Sequence, residues 1–152
     1  MMPEFKRILL AEDNPQDVEL TLTALEDHHL ANEVVVVSDG VEALDYLYCR
    51  GKFKMRCDRH PAVILLDLKM PKMDGLEVLR IIKADAKLKT IPLVILTSSR
   101  EEKDLVESYQ LGVNAYVVKP VDIQQFMDAV KSLGSFWALV NEPPPEVTAA
   151  AL

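Results

Sequence analysis

The run Ala62-Val63-Ile64-Leu65-Leu66-Asp67-Leu68-Lys69-Met70-Pro71-Lys72-Met73-Asp74-Gly75 decides the fold. Its first five residues are wholly apolar, the pattern of a strand buried on both faces. A charged residue, Asp67, follows at once. Asp74-Gly75 then opens a stretch whose Leu76, Leu79, Ile81 and Ile82 can be buried by a helix.

The same alternation repeats on either side. Upstream, Ile8 to Ala11 reads as a short buried strand stopped by Glu12-Asp13-Asn14-Pro15. Asn14 can cap a helix with Pro15 at its first position. Val18, Leu22 and Leu25 fall on one face of that helix. Val34 to Val37 is four valines in a row, read as a strand covered on both faces. Gly40 opens the second helix, with Ala43, Leu44 and Leu47 inward. Downstream, Leu93 to Leu96 is the fourth strand, and Glu101 to Leu111 is a fourth helix with Gly112 as its cap. Ala115 to Val118 is the fifth strand. Ile123, Phe126, Val130, Leu133, Trp137 and Val140 form the stripe of a final helix.

Five strands alternating with five helices imply an α/β fold with a parallel sheet covered on both faces and right-handed crossovers. Residues 6–140 then form one domain. Asn141-Glu142-Pro143-Pro144-Pro145 cannot continue a helix, so residues 141–152 are expected to be a disordered, Pro-rich tail.

The net charge of −7 argues against nucleic acid as a partner and against a polybasic membrane anchor. No apolar run is long enough for a signal peptide core or a membrane span. Cys49 and Cys57 make no disulfide framework and read as reduced thiols of a cytoplasmic protein. His28, His29 and His60 have no metal-ligand spacing. The segment Arg50 to His60 is unusually long for its place, and five of its eleven residues are Arg or Lys. It reads as a solvated loop or, more sharply, as a docking patch for an acidic surface.

In an open parallel sheet, ligands bind beyond the carboxyl ends of the strands. Those ends carry Glu12 and Asp13, Asp67, Thr97 and Ser98, and Lys119 and Pro120. Three carboxylates, a hydroxyl and an ammonium therefore converge. Two carboxylates about 5 Å apart at an effective dielectric near 20 repel by roughly 3 kcal/mol, which a bound cation relieves. All-oxygen donors in an incomplete cage favour Mg²⁺. Two cations facing Asp67 suit a phosphoryl group on that aspartate, with Thr97 donating a hydrogen bond.

Four segments in order resemble the receiver domain of bacterial response regulators: Ala11-Glu12-Asp13-Asn14, Leu66 to Gly75, Leu96-Thr97-Ser98-Ser99, and Tyr116-Val117-Val118-Lys119-Pro120. The resemblance implies a flavodoxin-like, doubly wound sheet of order 2-1-3-4-5. It implies Asp67 as phosphoacceptor, with Thr97 and Lys119 on the phosphoryl oxygens. Mg²⁺, for which Mn²⁺ can substitute, would be held by Asp13, Asp67 and the backbone carbonyl of Lys69, with Glu12 acting through water. The Lys119–Pro120 bond would be cis. Lys69 and Ser99 would flank the phosphoryl group, and Pro71 and Gly75 would shape the loop. Thr97 and Tyr116 would form the switch, reshaping the face of helix four, strand five and helix five.

The resemblance further implies a stand-alone regulator that is not an enzyme beyond self-directed phosphotransfer and autodephosphorylation. Its phosphoryl source would be a sensor histidine kinase or a phosphotransfer domain, and its output a downstream protein target. The long final helix and the extended loop resemble regulators paired with bacterial phytochromes. These often dimerise, here through the helix-four, strand-five and helix-five face, with Phe136 as an exposed anchor. Three alternatives fare worse. A haloacid-dehalogenase-type phosphatase needs a second Asp where Lys69 stands. An FMN binder wants a phosphate cradle where the chain has Glu12-Asp13-Asn14-Pro15. A degenerate receiver would have lost an acid or the lysine.

Overall fold

The structure, a computed structural model, describes residues 7–26, 34–55, 60–98 and 115–132. Five strands form one parallel sheet: β1 (Ile8–Ala11), β2 (Val34–Val37), β3 (Val63–Asp67), β4 (Leu93–Thr97) and β5 (Ala115–Val118). Their order is β2-β1-β3-β4-β5, as the resemblance implies. Four α-helices are described: α1 (Pro15–Glu26), α2 (Gly40–Leu47), α3 (Gly75–Ala84) and α4 (Ile123–Ser132). The helix expected over 101–111, the tail after 140 and Phe136 lie outside the described residues, as do most of the final stripe's side chains.

The apolar runs produce two cores, one on each face of the sheet. Leu9, Ala11, Ile64, Leu66, Leu93 and Ile95 point to α2 and α3. Ile8, Leu10, Val63, Leu65, Val94 and Leu96 point the other way, toward Leu25 of α1 and Phe126 of α4. This strict alternation is the period-2 geometry of strands with both faces covered. In α3 the fully buried residues are Val78, Leu79 and Ile82, with Leu76 and Ile81 only partly covered.

One expectation fails. The four valines of β2 are not covered on both faces: Val36 is 40% exposed and only Val37 is fully buried. The sheet order puts β2 at the edge, where helices cover it only in part. An unbroken β-branched run suits an edge strand as well as a central one.

The segment after α2 begins with a short 3₁₀ turn, Gly51–Phe53, pinned by Phe53 packing edge-on to Tyr46 at 5.1 Å. Two of its basic residues are matched by the chain's own acids: Arg50 Nε lies 2.9 Å from Asp45 and Lys52 Nζ 2.5 Å from Glu42. Such exposed pairs add little stability. They do reduce the free positive charge that the docking-patch reading needs; residues 56–59 are outside the description.

Gly75 fixes the loop behind Asp67. Its N–H donates to the Leu68 carbonyl at 2.8 Å, and a Cβ there would overlap the Asp67 carbonyl oxygen. Gly75→Ala should therefore destabilise the fold by about 1–3 kcal/mol, the range of overpacking, and toward its upper end because the clashing atoms are backbone. A chemical denaturation curve checks this.

Candidate functional site: a carboxylate–ammonium cluster at the sheet's carboxyl edge

The ends of β1, β3 and β5 each lead into a loop closed by a capped helix. After β1, Asn14 Oδ1 accepts from the N–H groups of Gln16 at 2.8 Å and Asp17 at 3.1 Å. This is the N-cap expected from the sequence. After β3, Asp74 Oδ1 accepts from Glu77 N–H at 3.0 Å and starts α3. After β5, Asp122 Oδ1 accepts from Gln125 N–H at 2.9 Å. The Lys119–Pro120 peptide is cis. Lys72, in the loop after Asp67, has φ +66, a left-handed conformation uncommon for a residue with a side chain.

These loops bring Glu12, Asp13 and Asp67 together. One oxygen from each lies within 4.8 Å of the others. Glu12 and Asp67 are buried and Asp13 is exposed. The ammonium of Lys119 sits 2.9 Å from Glu12 Oε1, 3.0 Å from Asp17 Oδ2 and 3.2 Å from Asp67 Oδ1. The sequence reading did not single out Asp17. As a first-turn carboxylate of α1 it looks like an ordinary partner of the helix dipole. The only hint is its place, one turn past Asp13.

The electrostatics are strained. Burial, reinforced by the Asp67 charge and opposed by Lys119, pushes the Glu12 carboxyl up to about 7. Burial also raises Asp67, against the opposing pull of Lys119, of Glu12 and of the Lys69 backbone N–H. Burial draws Lys119 down, but the surrounding carboxylates outweigh it and hold its ammonium above the ordinary lysine value. One ammonium thus does not neutralise the cluster. Glu12 Oε2 accepts the Asn14 N–H at 3.2 Å, whereas the buried Oε1 faces the shared Lys119 ammonium at 2.9 Å. A buried oxygen so placed, beside two more carboxylates, fits a hard divalent cation.

Thr97 is fully buried at the end of β4. The register pairs Asp67 with Leu96 and Thr97 with Val118, so Thr97 stands one residue beyond Asp67's neighbour on β4. Tyr116 pairs with Ile95 and packs, partly buried, against the core on the α2–α3 face. Thr97 follows Leu93 and Ile95 in the same alternation, so Thr97 and Tyr116 are diagonal neighbours on one face. The Lys119 N–H donates to the Thr97 carbonyl at 2.8 Å, joining the two strand ends. Lys69 follows Asp67 by two residues with its side chain exposed. Glu12, Asp13, Asp67, Thr97 and Lys119 therefore gather at one rim, while Ser99 lies outside the described residues.

The model of the response regulator receiver domain matches residues 8–131. The chain belongs to the response regulator receiver domain family. Response regulator Rcp1 of Synechocystis sp. is 39% identical over 132 residues, 87% of this chain and 88% of Rcp1. Among solved structures, the bacteriophytochrome response regulator AtBRR is 64% identical with a TM-score of 0.86, over 92% of this chain and all of that one (100%). The bacteriophytochrome response regulator RtBRR is 58% identical with a TM-score of 0.84, over 97% of this chain and 89% of that one. A Mn²⁺-bound form of Rcp1 superposes with a TM-score of 0.68 at 38% identity, over 88% of this chain and 94% of that one. The receiver is thus a response regulator of phosphorylation-based signalling, similar to phytochrome response regulators. Among its described residues no helix is long and apolar enough to cross a membrane.

Proposed function

We propose that this receiver accepts a phosphoryl group on Asp67 from a phosphohistidine of a sensor histidine kinase or phosphotransfer domain, in a Mg²⁺-dependent reaction. The supporting observation is the meeting of three carboxylates with the Lys119 ammonium 3.2 Å from Asp67. Glu12, Asp13, Asp67 and the Lys69 backbone carbonyl would supply the oxygens for the metal, with Glu12 acting through water. When bound, Mg²⁺ (or Mn²⁺) neutralises the carboxylates and the phosphoryl oxygens.

Asp67 Oδ attacks phosphorus as the bond to the donor imidazole nitrogen breaks, and the imidazole leaves. Lys119 and Thr97 hold the transferred oxygens and stabilise their charge. The chemistry is self-directed: the protein ends as an aspartyl phosphate, and hydrolysis returns it to the start. Thr97, drawn toward the phosphoryl oxygens, vacates space for its diagonal neighbour Tyr116. The two rotamer sets are two populations of one fold, shifted by phosphorylation. Partners, a downstream target or a second copy of the receiver, read the face that includes β5 and α4. The similarity to bacteriophytochrome regulators supports a phytochrome kinase as the source and the cytoplasm as the location.

Incubation with phosphoramidate and Mg²⁺ should give phosphorylation at one site per chain, labile in both acid and base and released by hydroxylamine as an acyl phosphate is, and abolished by EDTA. Labelling that persists without a divalent ion would remove the proposal.

A further inference from the structure

Lys119 has one more carboxylate partner than a lysine serving only the Asp67 site requires. Glu12 and Asp67 belong to the cluster whose oxygens approach one another within 4.8 Å; Asp17 does not. Yet Asp17 Oδ2 accepts a hydrogen bond from Lys119 Nζ at 3.0 Å, linking residues 102 apart in the chain. We propose that Asp17 is a positioning residue for Lys119, an anchor that keeps the ammonium beside Asp67 while the carboxylate cluster holds a divalent cation. The proposal rests on the phosphoryl-acceptor reading of Asp67.

The reason is a conflict of charges. A divalent cation among Glu12, Asp13 and Asp67 takes up the negative charge that faces Lys119 and repels the ammonium. A lysine head on a flexible four-carbon stem moves away when its partners are withdrawn. Asp17 is the carboxylate touching Lys119 that stands outside the cluster, so its attraction survives metal loading. Its placement is firm. Its own N–H is held by the Asn14 cap at 3.1 Å, and the positive end of α1 favours a carboxylate there. The Lys119 side chain is only 13% exposed and that of Asp17 29%, so water weakens the pair less than at an open surface. If Asp17 served only the helix dipole, its removal would leave Lys119 where it is.

The test is ¹⁵N-edited NMR of the lysine ammonium groups in the full chain, titrated with Mg²⁺, with the Lys119 signal assigned by Lys119→Arg. In the unsubstituted protein this signal should be protected from exchange both without and with Mg²⁺. In Asp17→Asn it should be visible without Mg²⁺ and lose intensity several-fold at saturation. Asp17→Glu should restore it. A signal that persists in Asp17→Asn at saturating Mg²⁺, or no protected signal in the unsubstituted protein, overturns the proposal. Phosphoramidate labelling of the unsubstituted protein is scored separately. Its failure would count against the reading of Asp67, while the NMR result would still report on the anchor.

Discussion

Asp67→Asn should abolish phosphoryl labelling of this receiver, a loss of at least about 100-fold, because the carboxylate is the attacking group and an amide is a far weaker nucleophile. The loss should come without unfolding. Asp67 is buried and its carboxyl is raised chiefly by that burial. A neutral amide of nearly the same shape removes one charge from an overcrowded cluster. Glu12 then loses the nearby charge that helps to raise it. The variant should melt at the same temperature as the parent or slightly higher in metal-free buffer. Labelling kinetics and thermal melts on the same preparations separate chemistry from stability. Base-labile label retained at parental levels would mean that another residue is the acceptor.

The second large effect is a pH dependence with an unusual sign. Glu12 has an ordinary value of 4.5 and is pushed up to about 7 in the folded receiver. Between these values the native state binds more protons than the unfolded chain, so stability falls as pH rises. The contribution is fully present below pH 4.5 and gone above about pH 7. At about 1.4 kcal/mol per unit, the shift corresponds to about 3 kcal/mol across that window. Asp67, also raised, acts in the same direction. Metal-free protein should accordingly be less stable at pH 8 than at pH 5.5. Mg²⁺ should restore stability most strongly above pH 7, where it no longer displaces a proton from Glu12. Glu12→Gln should flatten the metal-free profile. Denaturation midpoints at several pH values, with and without Mg²⁺, check each part. A metal-free profile that rises from pH 5.5 to 8 would contradict the strained cluster.

The sheet was readable because its strands are short apolar runs ending in charged or hydroxyl residues. Leu66-Asp67 and Leu96-Thr97 mark the switch from core to rim within one peptide bond. The rim residues followed directly, since the carboxyl ends of parallel strands share an edge. The coverage of β2 was not readable. A run of valines satisfies a central and an edge strand equally, and only the order of the strands decides between them. Val78 was missed for a related reason: several apolar residues of α3 compete for one face, and the packing angle selects among them. Asp17 was hidden because its contact spans 102 residues. Local sequence offers an adequate helical reason for an acid there, and nothing in it points to Lys119.

Chemical mapping of the phosphoryl site tests the central claim most directly. The receiver is phosphorylated with Mg²⁺ present, the acyl phosphate is reduced with borohydride, and the product is located by peptide mass spectrometry. The account predicts homoserine at position 67 alone, and none when EDTA replaces Mg²⁺. Reduction product at Asp13 or Glu12, or at position 67 regardless of divalent metal, would contradict it.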